Sequence, residues 1–222
     1  MIDVILCDDH ALIRRGIRDT LSDASDIRVI GEAGDYSELR GLLRTLGSSG
    51  LEPLRATPCD VLVLDINLPG RSGLDALQAL KDEGSPVKVL VVSMYPEDQY
   101  AIRALRAGAY GYVNKGGDPQ LLVQAVRTVA QGRKYVTPEI AQMLVESLTA
   151  PAHESPHSKL SDRELQTLVM IASGKRLADI AEALTLSPKT VSVYRARVLE
   201  KLQLANNSEL TVYAIRNGLV GQ

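Results

Sequence analysis

Five short aliphatic runs alternate with five helical patterns along the first 131 residues, and this alternation constrains the fold more than any other feature. The runs lie at about 2–7, 27–32, 61–65, 87–92 and 109–114, and the helical patterns at about 11–23, 36–46, 73–83, 97–107 and 118–131. A run such as Val61-Leu62-Val63-Leu64, apolar without alternation, suits a strand buried on both faces. Strand–helix units in series predict a doubly wound α/β domain, a five-stranded parallel sheet with helices on both sides. Local signals agree. Asp118-Pro119 is an N-cap followed by a first-turn proline, and Gly84-Ser85-Pro86 and Gly132 are stops. The turn-rich stretch 47–58 lengthens the second crossover and reads as a surface insertion.

In such a sheet the carboxyl ends of the strands share one edge, where ligands bind. Asp8 and Asp9, Asp65, Ser93 and Lys115 each end or follow one of the runs, so the topology brings them together. Taken singly, each has an ordinary explanation as a turn, a cap or a solvated lysine. Taken in order, three carboxylates beside one ammonium describe a site for a hard cation and an anion. A carboxylate can attack phosphorus and form an acyl phosphate. Mg²⁺ suits the site because it needs only one or two carboxylates and offsets repulsion between nucleophile and phosphate. Asp8 and Asp9 would hold it, Asp65 would share it while attacking, Lys115 would neutralise a phosphoryl oxygen, and Ser93 would donate to another.

The remainder is organised differently. A short helix is expected at 138–148, then a Pro- and Ser-containing linker at 150–158, then helices at about 162–173, 177–184, 188–203 and 207–217. Ser161…Glu164 is a capping box, and Ser187-Pro188 opens the third of these helices. Four short helices suit a small all-α helix-turn-helix domain. In the third, Val191, Tyr194, Val198 and Leu202 make a core stripe, while Lys189, Ser192, Arg195, Arg197 and Lys201 form a cationic outer face fit for a DNA major groove. Charge follows the same division: residues 159–222 carry nine basic and six acidic residues, residues 1–158 carry 16 and 21. His153 and His157 flank Pro156 and read as solvated linker residues rather than metal ligands.

Composition narrows the classes further. There is no Trp or Phe, which argues against an aromatic-lined pocket for a large organic ligand. Cys7 and Cys59 read as small buried thiols of a reducing cytosol. Neither a signal peptide nor an apolar run of membrane-spanning length is visible, so the expectation is a cytoplasmic protein without membrane contact.

Residues 1–131 resemble the flavodoxin-like receiver domain of two-component response regulators. The resemblance rests on Asp8-Asp9, Asp65 followed by Asn67-Leu68-Pro69-Gly70 and Gly73, Ser93, and Tyr112 through Lys115. It implies that Asp65 is the phosphoacceptor from a sensor histidine kinase or a small acyl phosphate. It also implies that Asp8, Asp9, Asp65 and the backbone carbonyl of Asn67 ligate Mg²⁺. Ser93 and Tyr112 fall at switch positions, where the hydroxyl moves toward the phosphoryl group and the ring rotates inward. Residues 160–222 resemble a LuxR-type helix-turn-helix, through Leu160-Ser161-x-Arg163-Glu164, Ile180-Ala181, Leu186-Ser187-x-Lys189-Thr190-Val191 and Lys201-Leu202. Tyr194 stands where many such domains have histidine. The whole chain is similar to the NarL/FixJ family, and within it to the GacA/UvrY branch. By that resemblance Ser192, Val193 and Ala196 face bases with Arg195 adding to them, and Lys189, Thr190, Arg197 and Lys201 favour phosphates of double-stranded DNA.

The expectation is a phosphorylation-switched transcription regulator rather than an enzyme, with a receiver at 1–131, a linker with a short helix at 132–159, and a DNA-binding domain at 160–222. In NarL-like proteins the unphosphorylated receiver covers the recognition helix, and release would let a homodimer form through the last helix. An aspartyl-phosphate phosphatase usually carries a second acid two residues after the nucleophile, where this chain has Asn67. A ligand-sensing quorum regulator is opposed by the acidic edge, and a regulator independent of phosphorylation is the remaining alternative.

Overall fold

The computed structural model describes residues 1–48, 59–95, 97–149 and 155–220. It forms two compact units, Met1–Thr149 and Ala150–Gln222. The first contains a parallel sheet of β1 (Ile2–Cys7), β2 (Ile27–Ala33), β3 (Val61–Asp65), β4 (Lys88–Ser93) and β5 (Gly111–Asn114). Their spatial order is β2-β1-β3-β4-β5, so the strand order reverses at β1 and leaves a crevice beside β3. The helices are α1 (Ala11–Ser22), α2 (Tyr36–Ser48), α3 (Gly73–Asp82), α4 (Glu97–Ala107), α5 (Pro119–Ala130) and α6 (Pro138–Thr149).

The continuous apolar runs are continuous because both faces of the sheet are covered. Val4, Leu6, Val61, Val63, Leu90, Val92 and Val113 pack in one cluster with Leu21 of α1 and Leu122, Ala125, Val126 and Val129 of α5. The intervening residues Ile5, Leu62, Leu64, Val89 and Val91 are equally buried and point to the other face. Each fully buried Val or Leu contributes about 1.5–3 kcal/mol, so buried charges flank the apolar runs: Asp3, paired with Arg28 at 2.8 Å, at the start of β1, and Asp8 and Asp65 at the opposite edge. Cys7 and Cys59 are buried thiols, and burial together with the charge of Asp65 pushes the Cys7 thiol far above its ordinary range.

Two features differ from expectation. β5 starts at Gly111 rather than 109, because the chain leaves α4 through Gly108 (φ 111°) and the Ala109 N–H bonds Ala104 O at 2.9 Å to close that helix. The first unit also continues past 131. Tyr135 N–H donates to Tyr110 O at 2.7 Å and bridges Gly111 in parallel, extending the sheet edge. Thr137 Oγ1 donates to Glu97 Oε2 at 3.1 Å, Ile140 is fully buried, and α6 packs on α4. The surface-insertion reading of 47–58 lies outside the described residues after Ser48, as does the linker before Ser155.

The second unit is helical throughout: a 3-10 turn at Pro156–Lys159, then α7 (Asp162–Ala172), α8 (Leu177–Ala183), α9 (Pro188–Leu202) and α10 (Asn207–Arg216). Leu165, Leu168, Ile180, Val191, Val198, Leu202, Leu210 and Ala214 form its interior. The capping box is present: Ser161 N–H donates to Glu164 Oε2 at 2.8 Å, and Ser161 Oγ accepts from Glu164 N–H at 3.4 Å. The same buried carboxylate receives the Lys201 ammonium at 2.6 Å, tying α7 to α9. Burial pushes the Glu164 carboxyl up, but Lys201 and the Ser161 amide outweigh it and leave it below the ordinary range.

A depressed acid stabilises the fold above its unfolded value of 4.5, and that contribution fades as pH falls through the folded value. Glu164→Ala is expected to destabilise the second unit by about 1–3 kcal/mol near pH 7, with the gap narrowing as pH falls below 4.5. Urea unfolding followed by far-UV circular dichroism reads this; a gap independent of pH would contradict it.

Candidate functional site

At the carboxyl edge of the sheet, Asp8 follows β1, Asp65 closes β3, Ser93 closes β4 and Lys115 follows β5. Asp8, Asp65 and Ser93 are at most 2 % exposed. Lys115 Nζ lies 2.6 Å from Asp8 Oδ2 and 2.7 Å from Asp65 Oδ2, bridging the two carboxylates. The Asp8 carboxylate is oriented from behind, its Oδ1 accepting the His10 N–H at 2.8 Å. The Asp65 carboxyl stands raised at about 6, pushed up by burial and by the charge of Asp8 and pulled down by Lys115 and by a hydrogen bond from the Asn67 backbone N–H. Near neutral pH Asp65 is therefore mainly an anion held in a dry, charge-compensated place, which is what a phosphorus-directed nucleophile needs.

The turn after Asp65 fixes its backbone. Gly73 opens α3 so close beneath it that an added Cβ would lie 1.9 Å from the Asp65 carbonyl oxygen. Gly73 N–H donates to Ile66 O at 2.8 Å, and buried Ser72 caps α3 through Asp75 N–H at 3.1 Å. Glycine at 73 is a steric requirement of the site rather than a turn preference.

Ser93 and Tyr112 both bond the backbone of Tyr95. Ser93 Oγ accepts the Tyr95 N–H at 3.2 Å. Tyr112 OH donates to Tyr95 O at 2.7 Å, and Asn114 Nδ2 donates to the same oxygen at 3.0 Å. The Tyr112 ring, expected to rotate inward on phosphorylation, is fully buried here already. Burial pushes its phenol pKa upward, keeping it a neutral donor. Tyr95 stacks on buried Tyr100 of α4 with centroids 4.7 Å apart, and its hydroxyl reaches Asn67 Oδ1 at 3.5 Å. Sequence reading missed Tyr95 and Asn114 because their roles come from backbone geometry across strands. It also missed His10, whose signal was adjacency to Asp9: His10 Nδ1 lies 2.5 Å from Asp9 Oδ1.

The donor set fits a hard divalent cation. Ligand atoms from Asp8, Asp9, His10 and Asp65 lie within 4.8 Å of one another. Asp8 Oδ2 and Asp9 Oδ1 are buried oxygens held only by the cationic or imidazole nitrogens of Lys115 and His10 among the described residues. Oxygen donors of this kind suit Mg²⁺.

In the second unit, Lys189, Ser192, Val193, Ala196 and Arg197 lie exposed along one stripe of α9. Thr190 is half-buried and hydrogen-bonds Ser187 Oγ through its N–H at 3.1 Å. Arg195 lies off that stripe, about 60° round the helix from Ser192 at roughly 100° per residue, with its Nε donating to Asn207 Oδ1 at 2.6 Å. Lys201 is engaged by Glu164 and thus has a structural duty besides any contact with phosphate. Among the described residues, no helix is long and apolar enough to cross a membrane.

The strand order together with the lysine-bridged acidic edge defines the first unit as a receiver domain. The profile of the response regulator receiver domain matches residues 4–127, and that of the bacterial regulatory proteins, luxR family, matches residues 158–214. The chain belongs to the response regulators that couple a receiver to a LuxR-type DNA-binding domain. It is 40% identical over 220 residues to response regulator UvrY of Escherichia coli O6:H1, covering 99% of this chain and 96% of the relative. Response regulator GacA of Pseudomonas aeruginosa is 38% identical over 221 residues, with 99% and 98% covered. Among solved structures, RcsB of Salmonella enterica serovar Typhimurium, bound to promoter rprA in the presence of phosphomimetic BeF3-, is similar with a TM-score of 0.60 and 26% identity. That match covers 96% of this chain and 97% of RcsB.

Gly73→Ala is expected to destabilise the first unit by about 3 kcal/mol or more, at the upper end of overpacking costs. Gly41→Ala, where nothing lies within 4 Å, serves as the control. Thermal unfolding compares them; an equally small change for both would contradict the close approach.

Proposed function

We propose that Asp65 stores a phosphoryl group and that this store controls binding of the second unit to double-stranded DNA. One observation carries the reading: a single buried ammonium joins two strand-end carboxylates in the same chain as an exposed basic helix. An Asp65 carboxylate oxygen attacks the phosphorus of a phosphohistidine on a sensor kinase, or of a small acyl phosphate. The new O–P bond forms as the old N–P or O–P bond breaks, and the leaving group departs with the electron pair. Lys115 exchanges its contact with Asp65 Oδ2 for a phosphoryl oxygen. Asp8, Asp9, Asp65 and the backbone carbonyl of Asn67 would hold Mg²⁺, which when bound supplies neutralising charge between the two anions. Asn67, lacking a carboxylate, leaves the acyl phosphate without a second acid beside it and favours storage over turnover.

The readout begins at Ser93. Its hydroxyl is drawn to a phosphoryl oxygen, which removes the acceptor of Tyr95 N–H and loosens the carbonyl that holds Tyr112 and Asn114. The edge of α4, β5 and α5 is the bistable element. DNA affinity of the second unit then rises, through release of α9 or through homodimer formation by α10, where Val212 and Ile215 are 47 % and 39 % exposed. A similar protein, RcsB, bound to a promoter in the presence of a phosphomimetic, supports a DNA-bound form of the phosphorylated chain.

Fluorescence anisotropy of the full chain tests it, using a duplex selected from a random pool. Acetyl phosphate with Mg²⁺ is expected to tighten binding by at least about fivefold, the lower range of allosteric coupling. Asp65→Asn is expected to be unresponsive. An Asp65→Asn variant that responds like the wild type would instead favour DNA binding independent of phosphorylation.

A further inference from the structure

The outward stripe of α9 leaves Arg195 to one side. Lys189, Ser192, Val193, Ala196, Arg197 and Glu200 are exposed along it, whereas Arg195 is half-buried on the flank toward the start of α10. A helix about 10–12 Å across fills a major groove about 12 Å wide. Its leading stripe meets the floor of bases, and its flanks meet the walls, where the phosphates run.

The guanidinium is held rather than neutralised. Arg195 Nε donates to Asn207 Oδ1 at 2.6 Å, and among the described residues neither Nη group has a partner. The acceptor is an amide oxygen, so the full positive charge is kept. Asn207 is itself fixed, as the first residue of α10. The preceding Asn206 Oδ1 accepts Glu209 N–H at 3.0 Å, and Glu209 Oε2 accepts Ala205 N–H at 2.8 Å. One donor of the fork is thus occupied and two amino groups remain in a set plane, the arrangement that receives two oxygens of one phosphate.

We infer that Arg195 and Asn207 form a preset clamp for a DNA phosphate, with Arg195 making the contact and Asn207 acting as its positioning residue. This rests on the DNA-binding reading above and assigns Arg195 to the backbone instead of to the bases. A phosphate contact positions the helix without reading sequence.

The test uses the full chain treated with acetyl phosphate and Mg²⁺, and two fluorescein-labelled probes, a selected duplex and a mixed-sequence duplex. Arg195→Ala is expected to weaken binding to both by a similar factor and to lower the slope of log affinity against log salt by about one. Asn207→Ala is expected to weaken both probes while leaving the slope unchanged, since no charge is lost. Arg195→Lys is expected to keep the slope without restoring affinity, and Asn207→Ala added to it should have no further effect. Circular dichroism melts confirm that each variant is folded. Loss on the selected duplex alone would overturn the clamp in favour of base reading. An Asn207→Ala effect undiminished in the Arg195→Lys background would overturn the positioning role. If the treated wild-type chain bound neither duplex, the DNA-binding reading itself would fail and take the clamp with it.

Discussion

The contact on which the first unit depends is the Lys115 ammonium set between the carboxylates of Asp8 and Asp65, at 2.6 and 2.7 Å. Two buried acids at the ends of adjacent strands repel, and burial together with the Asp8 charge holds Asp65 up at about 6 even with the lysine beside it. Coulomb energy scales inversely with distance and with the local dielectric, so this dry edge magnifies both the repulsion and its compensation. The contact is also exchangeable. An ammonium is a compact charge that can pass from a carboxylate to a phosphoryl oxygen with little rearrangement of its stem. On the proposed function, this is the contact that a phosphoryl oxygen on Asp65 would take over.

The report has a physical route within the unit. Ser93 Oγ holds Tyr95 N–H, and Tyr95 O holds Tyr112 and Asn114. The Tyr95 ring lies on Tyr100 of α4, and Glu97 at the start of α4 accepts from Thr137, just before α6. Each link is a hydrogen bond or a stacked ring rather than a flexible surface contact. The last of them reaches the start of α6, which belongs to the first unit together with Tyr135 on the sheet edge.

What could be read from the sequence was what depends on near neighbours or on topology. Asp118 with Pro119, Ser161 with Glu164 and Ser187 with Pro188 cap their helices as expected, because capping needs only three or four residues. The meeting of Asp8, Asp65, Ser93 and Lys115 was legible because parallel strands with helical crossovers must bring their carboxyl ends together. Tyr95, Asn114 and the packing of α6 on α4 were not legible, since a loop carbonyl gathering two side-chain donors from β5 leaves no periodic trace. The start of β5 was placed too early because Ala109 and Tyr110 are apolar enough to pass for strand, while Ala109 spends its N–H on the α4 terminus. The Arg195–Asn207 contact spans two helices, and neither residue announces it.

Phosphate incorporation from a labelled acyl phosphate is the most direct measure of the central claim. The account predicts about one hydroxylamine-labile phosphate per chain in Mg²⁺ as a limiting stoichiometry for a single acyl phosphate. It predicts none in chelator, none in Asp65→Asn, and sharply reduced incorporation in Lys115→Ala. Incorporation into Asp65→Asn equal to that of the wild-type chain, under the same conditions, would contradict it.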